Sequence, residues 1–307
     1  MDKIKIKNPV SASGGVLDSA QKEMLELLRK DERLCRLIRD EFHLSVAETK
    51  AALVPLLDLY EDLHYCDACP GYEACDKAIP HYQMELIRED GLFDRRLHLC
   101  PLARSVETYQ SYFLYHDFPL SWNGCSLKAS VERSQKKREA LQKFTSVLAG
   151  KSKQWLYVYG NRGSGRTFLL ACFALDFARN ANEEKSVAFC DTTSLLDKLR
   201  DHSFQNKEKF AQEMEELISV PLLILDDFGS ETKDKSGYAY SSILFPILNA
   251  RAKENRLTGF SSDFRISEIA EMYAPSIGTP RARQLKDLLL TTSKSEIDIS
   301  GLVFARK

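Results

Sequence analysis

The chain has 307 residues, more than one compact hydrophobic core usually holds, so its length predicts two domains or one domain with a large appendage. Its 43 Lys and Arg residues nearly balance 44 Asp and Glu residues, and the formal net charge of -1 excludes a strongly basic nucleic-acid coat protein. A hydrophobic fraction of 44% with 28% charged residues argues against wholesale disorder.

The N-terminal residues carry no targeting signal that can be read from the sequence. Residues 1–15 alternate Lys and Ile without the apolar stretch of a signal peptide, and no apolar run anywhere approaches the ~20 residues that span a bilayer. A cytoplasmic protein without membrane contact is therefore expected. The same residues contain Pro, Ser and consecutive Gly residues, which predict a mobile lead-in.

The next part of the chain is predicted to be helical. From about Leu17, apolar residues recur every three or four positions, as an amphipathic helix or helix pair requires. Ser45 and Glu48 form a candidate capping box for a further helix, which Pro55 should kink or divide. These segments are expected to form a small helical bundle that leads into a cysteine cluster.

Half of the eight cysteines lie close together after this bundle. Cys66 and Cys69 form a C-x₂-C pair that can point two thiolates at one ion, and a zinc site of Cys66, Cys69, His81 and Cys100 is chemically reasonable. Cys75 could replace His81 to give four cysteine ligands. Free thiols or a redox pair are the alternatives, but the C-x-x-C pair lacks the βαβ setting of a redox motif. A structural zinc site is predicted, because four protein ligands leave no open position for water.

A basic segment follows an aromatic-rich stretch at 106–126. Eight Lys and Arg residues within 128–153 face only Glu132 and Glu139. The segment is interpreted either as the solvated face of a helical linker or as a basic stripe that meets a nucleic-acid backbone, and the sequence leaves both open.

From Gln154 onward, short strands alternate with helices. Five β-rich runs separated by helical stretches predict a five-stranded, parallel, doubly wound α/β sheet. The runs are 155–159, 186–191, 221–227, 257–262 and 296–300. The predicted division of the chain is an N-terminal helical domain at 1–125, a basic linker at 126–153 and an α/β domain at 154–307.

A glycine-rich turn lies between the first of these strands and the next helix. Gly160, Gly163 and Gly165 let backbone N–H groups wrap a phosphate, and Thr167 places a hydroxyl where it can hold Mg²⁺. Arg166 stands where such a loop usually carries lysine, so a planar guanidinium replaces a compact ammonium. The loop predicts nucleotide binding with Mg²⁺, and the arginine leaves hydrolysis an open question.

Acidic and basic residues near later strands complete the candidate site. A buried apolar strand ends in Asp226 and Asp227, an arrangement that brings carboxylates to the edge of the sheet, where they can hold a metal ion and polarise water. Asp263 follows the next strand, in the position of a sensor residue between the nucleotide and these acids. Arg281 and Arg283, at the start of a helix, are candidates for an arginine finger that acts across a subunit interface or for a sensor-2 role.

Together these segments resemble the DnaI/DnaC branch of the AAA+ ATPases, the bacterial primosomal helicase loaders. The runs that carry the resemblance extend over nearly the full chain and are CDACPGYEAC, YGNRGSGRTFLL, LLILDDFGSE, SSDF and EIDISG. The resemblance implies an AAA+ domain that binds ATP and single-stranded DNA. It also implies an N-terminal zinc-containing domain that grips the replicative hexameric helicase and helps to place it on DNA with other primosome proteins. Whether the chain forms a homo-oligomer is left open.

The resemblance also assigns roles to individual residues. The residues that would contact the nucleotide phosphates and Mg²⁺ are Gly160, Gly165 and Thr167. Asp226 would contact the metal-bound water, Asp227 the attacking water, and Arg283 would be the arginine acting in trans.

The chain departs from the family at three places. Arg166 replaces the usual lysine, Asp263 replaces the usual sensor asparagine, and the helix after Arg283 is poorer in arginine. Asp263 adds negative charge beside Asp226 and disfavours bound triphosphate unless Arg166 compensates for it. Two alternatives follow: a non-hydrolysing helicase-binding adaptor with a degenerate nucleotide site, and a transposition-associated AAA+ ATPase, which would not need the cysteine cluster.

Overall fold

The computed structural model describes residues 5–6, 19–89, 92–130, 135–233 and 237–301. The chain divides into two compact units, Met1–Ser105 and Val106–Lys307. This division falls ahead of the predicted boundary at residue 125, because a strand at Phe113–His116 pairs into the sheet of the second unit. The predicted mobile lead-in at 1–15 lies outside the described residues, apart from residues 5–6.

The first unit begins with helices, as predicted. They are α1 (Ser19–Lys30), α2 (Glu32–Arg36), a π-helical turn (Leu37–Glu41), α3 (Val46–Ala51) and α4 (Leu53–Asp67). The capping box is confirmed, because the Ser45 hydroxyl accepts the Glu48 N–H while the Glu48 carboxylate accepts the Ser45 N–H. Pro55 lies in the first turn of α4, where its missing N–H costs no helical hydrogen bond, so the predicted helix is divided just before it.

An antiparallel sheet that the sequence analysis missed completes this unit. Its strands are β1 (Lys5–Ile6), β2 (Tyr82–Glu89) and β3 (Leu92–Leu99), in the order β1-β3-β2. β2 and β3 pair from Tyr82 opposite Leu99 to Glu89 opposite Leu92, as one hairpin. The main hydrophobic cluster of the unit is formed by residues of the helices, of the connection between α3 and α4, and of β2, and they are Leu25, Leu28, Leu34, Ala52, Leu53, Leu56, Leu59 and Leu86.

The second unit is built on a parallel sheet of six strands rather than the predicted five. The strands are β4 (Phe113–His116), β5 (Leu156–Tyr159), β6 (Val187–Asp191), β7 (Leu222–Asp226), β8 (Leu257–Ser262) and β9 (Ile297–Asp298). Their order is β4-β6-β7-β8-β5-β9, and every pair is parallel. The additional strand, β4, comes from the aromatic-rich stretch and lies at one edge.

Helices cover both faces of this sheet. They are α5 (Pro101–Ser111), which includes the division between the units, α6 (Gln135–Leu148), α7 (Arg166–Ala181), α8 (Thr192–Gln205), α9 (Lys207–Ser219), α10 (Phe245–Lys253), α11 (Ile266–Ile277) and α12 (Thr279–Ser293). Short 3₁₀ turns occur at Leu120–Trp122, Leu127–Ser130 and Ser230–Lys233, and a π-helical turn at Ala239–Leu244. Within the described ranges, no helix is long and apolar enough to cross a bilayer.

Alternate residues of the central strand β7 enter two separate cores. Leu222 and Ile224 pack with α6 and α7, whereas Leu223 and Leu225 pack with α8 and the helices from α10 to α12. This two-residue alternation is that of a strand buried on both faces, which explains why the strand reads as a continuous apolar run. The carboxyl end of β7 is therefore fixed from both sides.

The basic segment predicted as a linker is part of the second unit. α6 buries Ala140, Phe144 and Val147 against the core that contains α7, and Lys143 Nζ donates to Ser295 Oγ at 2.8 Å. The exposed basic side chains of the segment are Lys128, Arg138, Lys143, Lys151 and Lys153. Glu132 and Arg133 lie outside the described residues, and the side chains of Lys136 and Lys137 are not described either.

A buried arginine ties α9 to two strands at the end of the sheet opposite the glycine-rich turn. Arg251 of α10 is 0% exposed, and burial lowers the pKa of its guanidinium to about 9. Its acceptors are the carbonyl oxygens of Leu217 (2.8 Å), Ile218 (3.1 Å), Val220 (2.8 Å) and Leu257 (2.5 Å) and Thr258 Oγ1 (3.0 Å). These bonds join the end of α9 to the starts of β7 and β8.

Candidate nucleotide-binding site

The predicted phosphate loop connects β5 to α7 and has the backbone that its glycines permit. Gly163 and Gly165 have φ of 80° and 86°, in the left-handed region that side chains rarely adopt. At Gly160, an added Cβ would lie 2.8 Å from Ser164 Oγ and 2.9 Å from Ile299 Cγ1. Three glycines are thus required for this turn, and they place the backbone ahead of the α7 N-terminus, where anions bind.

The hydroxyl after the loop and the acid at the end of β7 are in direct contact. Thr167 Oγ1 donates to the Asp226 carboxylate at 2.9 Å, and the Ser261 hydroxyl donates to the same carboxylate. Burial raises the pKa of Asp226, and the neighbouring charge of Asp227 adds to this rise while the two hydroxyls oppose it. The structure therefore brings together the loop and the acidic strand end that the sequence analysis paired.

Arg166 lies inside this site and contacts the other unusual residue, Asp263. Its side chain is 6% exposed, and Nη1 donates to the Gly160 carbonyl oxygen and to Asp263 Oδ1 at 2.5 Å. Nη2 donates to Asp227 Oδ1 at 3.3 Å. The exposed Arg162 approaches the second oxygen of Asp263, with 3.9 Å between Nε and Oδ2. Two of the chain's departures from the usual pattern are thus partners in one ion pair.

The residues around the loop fit a magnesium nucleotide. Ser164 Oγ is buried without a hydrogen-bond partner among the described residues, in the turn that would wrap a phosphate. The Thr167 hydroxyl and the Asp226 carboxylate are the oxygen donors that hold Mg²⁺ in P-loop sites. Unsatisfied polar groups and hard oxygen ligands at one place are what a metal-bound phosphate requires.

The two candidate finger arginines lie elsewhere. Arg281 Nη1 donates to Ser241 Oγ at 2.9 Å, and its carbonyl oxygen accepts from the Tyr240 hydroxyl. Arg283 is exposed on α12, and among the described residues no hydrogen bond or ion pair joins it to the phosphate loop. A residue that acts on a neighbouring subunit need not contact its own loop, so the role of Arg283 stays a prediction.

Two residues at the site were missed by the sequence analysis. Ser261 binds Asp226 and also accepts the Asp227 N–H at 2.9 Å, so it orients both acids. Glu231 accepts the Gly229 N–H at 2.7 Å and the Tyr273 hydroxyl, and burial raises its pKa to about 7. Ser261 is the second-last residue of β8, the strand that precedes Asp263, so the rule that polar residues collect at strand ends could have found it.

The cysteine cluster lies in the first unit and surrounds a cavity of about 220 Å³. The cysteines that line it are Cys66, Cys69, Cys75 and Cys100, and His81 lines it as well. The His81 N–H donates to Cys75 Sγ at 3.4 Å, and the Ala103 N–H donates to Cys100 Sγ at 3.3 Å.

The predicted zinc ligands are not assembled around one point in this structure. Across the described residues, no three His, Cys, Asp or Glu side chains are arranged so that they could hold a metal ion. His81 is engaged elsewhere, because its Nε2 atom lies 2.9 Å from the Tyr72 carbonyl oxygen and its ring stacks on that of Tyr72 at 4.0 Å. The donors are gathered at one cavity, but their geometry is not that of a closed site.

The sheet order, the glycine loop before α7 and the acids at the end of β7 form the arrangement of a P-loop nucleotide-binding fold. Residues 132–275 match the family described as the bacterial DnaA ATPase domain.

The comparison with known proteins confirms the predicted resemblance to the helicase loader DnaI. The chain is 24% identical over 269 residues to the replicative helicase loader DnaI of Bacillus subtilis (strain 168). The aligned region covers 83% of this chain and 82% of that protein. A crystal structure of DnaI shares the fold, with a TM-score of 0.53 and 24% identity over 61% of this chain and 97% of that one. The crystal structure assigned to a primosome component of Streptococcus pyogenes serotype M3 has a TM-score of 0.51 and 18% identity over 64% of this chain and 98% of that one.

Proposed function

We propose that this chain is an ATP-dependent loader of the replicative DNA helicase, acting on single-stranded DNA during primosome assembly in the cytoplasm. The observation that carries the proposal is the contact between the loop hydroxyl of Thr167 and the Asp226 carboxylate, in a chain similar to a replicative helicase loader over 83% of its length. The similarity extends over parts of both compact units, which supports a loader rather than an isolated nucleotide-binding domain.

Different residues of the second unit would contact the phosphates, the magnesium ion and the attacking water. The backbone N–H groups of the loop would hold the phosphates, while Thr167 and Asp226 would hold Mg²⁺. Asp227, whose side chain is 39% exposed, would orient a water molecule on the solvent side. Bound MgATP would supply the free energy that drives loading, and Arg283 would reach the nucleotide of a neighbouring subunit.

The experiment that tests this proposal compares wild type with Thr167→Ala. We expect magnesium-dependent ATP binding to weaken by at least about tenfold, because the variant removes a metal ligand. Transfer of the hexameric helicase onto single-stranded DNA should fall in parallel. Thr291→Ala is the matched control, since Thr291 is an exposed helical threonine whose hydroxyl donates to the Asp287 carbonyl oxygen of its own helix.

Two results would contradict the loader proposal. Equal ATP binding by wild type and Thr167→Ala would contradict the proposed magnesium site. Helicase transfer that needs neither nucleotide nor this chain would contradict the proposed function. Retention of the helicase by residues 106–307 but not by residues 1–105 would contradict the expected role of the N-terminal unit in binding the helicase.

A non-hydrolysing adaptor is the second candidate, and the position of Arg166 favours it. Its guanidinium is already bonded to Gly160, Asp227 and Asp263, so it is less available to stabilise a transferring phosphoryl group. ATP turnover, measured with and without single-stranded DNA and helicase, separates the two: a loader turns over ATP under at least one condition, and an adaptor under none.

We also propose that the first unit binds one structural zinc ion through Cys66, Cys69, His81 and Cys100, with Cys75 as the alternative to His81. What supports this is the gathering of these donors at one cavity.

Metal analysis of the purified chain should find about one zinc ion per molecule, the stoichiometry of a structural site with four ligands. Cys66→Ser with Cys69→Ser should lose it, whereas Cys35→Ser, outside the cavity, should retain it. Loss in His81→Asn but not in Cys75→Ser assigns His81 as the fourth ligand, and the reverse assigns Cys75. A wild-type chain purified without zinc, and unable to take it up, would refute the site.

A further inference from the structure

The phosphate loop already holds an anion, the side chain of Asp263. Arg166 Nη1 donates to Asp263 Oδ1 at 2.5 Å, and Arg162 lies 3.9 Å from the other carboxylate oxygen. The guanidinium is buried and bonded on its second nitrogen to Asp227 at 3.3 Å. A phosphate group that approaches Arg166 must therefore compete with two carboxylates for the same donors.

The charges around the loop add to this competition. Two cations, Arg162 and Arg166, meet three carboxylates among the described residues, those of Asp226, Asp227 and Asp263. In P-loops the side chain at the position of Arg166 reaches the β- and γ-phosphates, so Asp263 lies at the end of the loop where a terminal phosphate adds charge. Each further phosphate therefore adds repulsion at this end, and Mg²⁺ offsets only part of it.

We propose that Arg166 and Asp263 act as one coupled pair that sets the nucleotide specificity of this loop, so that the chain binds nucleoside diphosphate more tightly than triphosphate. This inference rests on the proposed nucleotide site and adds its specificity. Asp263 is the specificity-determining residue, because it occupies the Arg166 guanidinium that would otherwise bind a terminal phosphate. Removing the Asp263 charge frees the guanidinium for a terminal phosphate and reverses the preference.

The test measures the affinity of the full chain for ADP and for the non-hydrolysable analogue AMPPNP, each with excess Mg²⁺, by calorimetric titration. We expect wild type to prefer ADP by about tenfold or more, the ratio that one charge pair near a protein surface produces. Asp263→Asn should raise the affinity for AMPPNP and remove the preference. Asp298→Asn is the matched control: its side chain is 35% exposed, against 32% for Asp263, and it pairs with Arg265 instead of Arg166, so wild-type preference is expected.

A second measurement tests the coupling without nucleotide. Thermal unfolding of the free chain is compared for Asp263→Asn, Arg166→Lys and the double variant. Asp263→Asn leaves Arg166 without the opposite charge, and Arg166→Lys leaves Asp263 with fewer hydrogen-bond donors, so each single change should lower the melting temperature. The melting temperature of the double variant should fall by less than the sum of the two single losses. Asp263→Ser serves in place of Asp263→Asn if the latter does not fold.

The outcomes separate this inference from the proposed function. Equal wild-type affinity for ADP and AMPPNP, or additive losses of melting temperature, overturns the inference and leaves the nucleotide site standing. Binding of neither ligand by wild type overturns the inference and the nucleotide part of the proposed function together.

Discussion

Replacing Arg251 with alanine should lower the free energy of unfolding by about 3–5 kcal/mol, as expected when a buried charged group is removed from its hydrogen-bonding partners. Arg251 is 0% exposed and donates five hydrogen bonds at the end of α9 and the starts of β7 and β8. Its loss leaves four buried carbonyl oxygens without this donor, and each unsatisfied buried group costs about 1–3 kcal/mol. Chemical denaturation of the two chains measures the difference.

Two further variants identify the cause. Arg251→Met keeps most of the aliphatic volume and removes only the donors, so it should recover a minor part of the loss. Arg256→Ala removes a partly exposed arginine whose side chain binds Glu254 at 3.3 Å, and it should change stability by less than about 1 kcal/mol. A loss below about 1 kcal/mol in Arg251→Ala would show that the carbonyl groups find other donors.

Asp226→Asn should lower ATP turnover and raise the stability of the nucleotide-free chain. The variant removes the charge that would hold Mg²⁺, so ATP turnover should fall by about 100-fold or more, as when a charged group at a reacting phosphate is lost. Burial beside Asp227 raises the pKa of the Asp226 carboxyl, which means that the folded chain holds the ionised form at a cost. The nucleotide-free variant should therefore be more stable than wild type at neutral pH.

The pH dependence follows from the direction of this shift. Because the pKa of Asp226 is higher in the folded chain than in the unfolded one, wild type loses stability as pH rises from the ordinary value of 3.8 through the raised value. The advantage of Asp226→Asn should be complete above that range and absent below it. Asp287→Asn, at an exposed position on α12, should show neither effect. A variant that is less stable than wild type at pH 7 would mean that the hydrogen bonds of Asp226 outweigh the cost of its charge.

Local sequence was sufficient for the parts of the site that depend on short-range chemistry. The loop glycines, Thr167 and the acids at the end of β7 lie where the sequence predicts. A glycine turn and a buried strand can each be recognised from about ten consecutive residues. The contact between Arg166 and Asp263 joins positions 97 residues apart, so only the folded sheet order brings it about.

The missed elements have physical reasons too. β4 has four residues and no alternation that distinguishes a strand from a helix turn, and it is held by pairing with β6. The hairpin of β2 and β3 carries Arg, Asp and Glu among its apolar residues, which hides its pattern. In the segment 128–153, the many positive charges concealed the three apolar residues by which α6 joins the core.

The pair of Arg166 and Asp263 also constrains how this sequence can evolve. A chain that had acquired only the arginine would bury a guanidinium with one carboxylate fewer, and a chain that had acquired only the aspartate would set a third acid beside Asp226 and Asp227. Either single residue would lack the charge that balances it, so we expect the effects of substitutions at the two positions to be non-additive. Together the two side chains form one balanced set of charges, so the effect of changing either residue depends on the other.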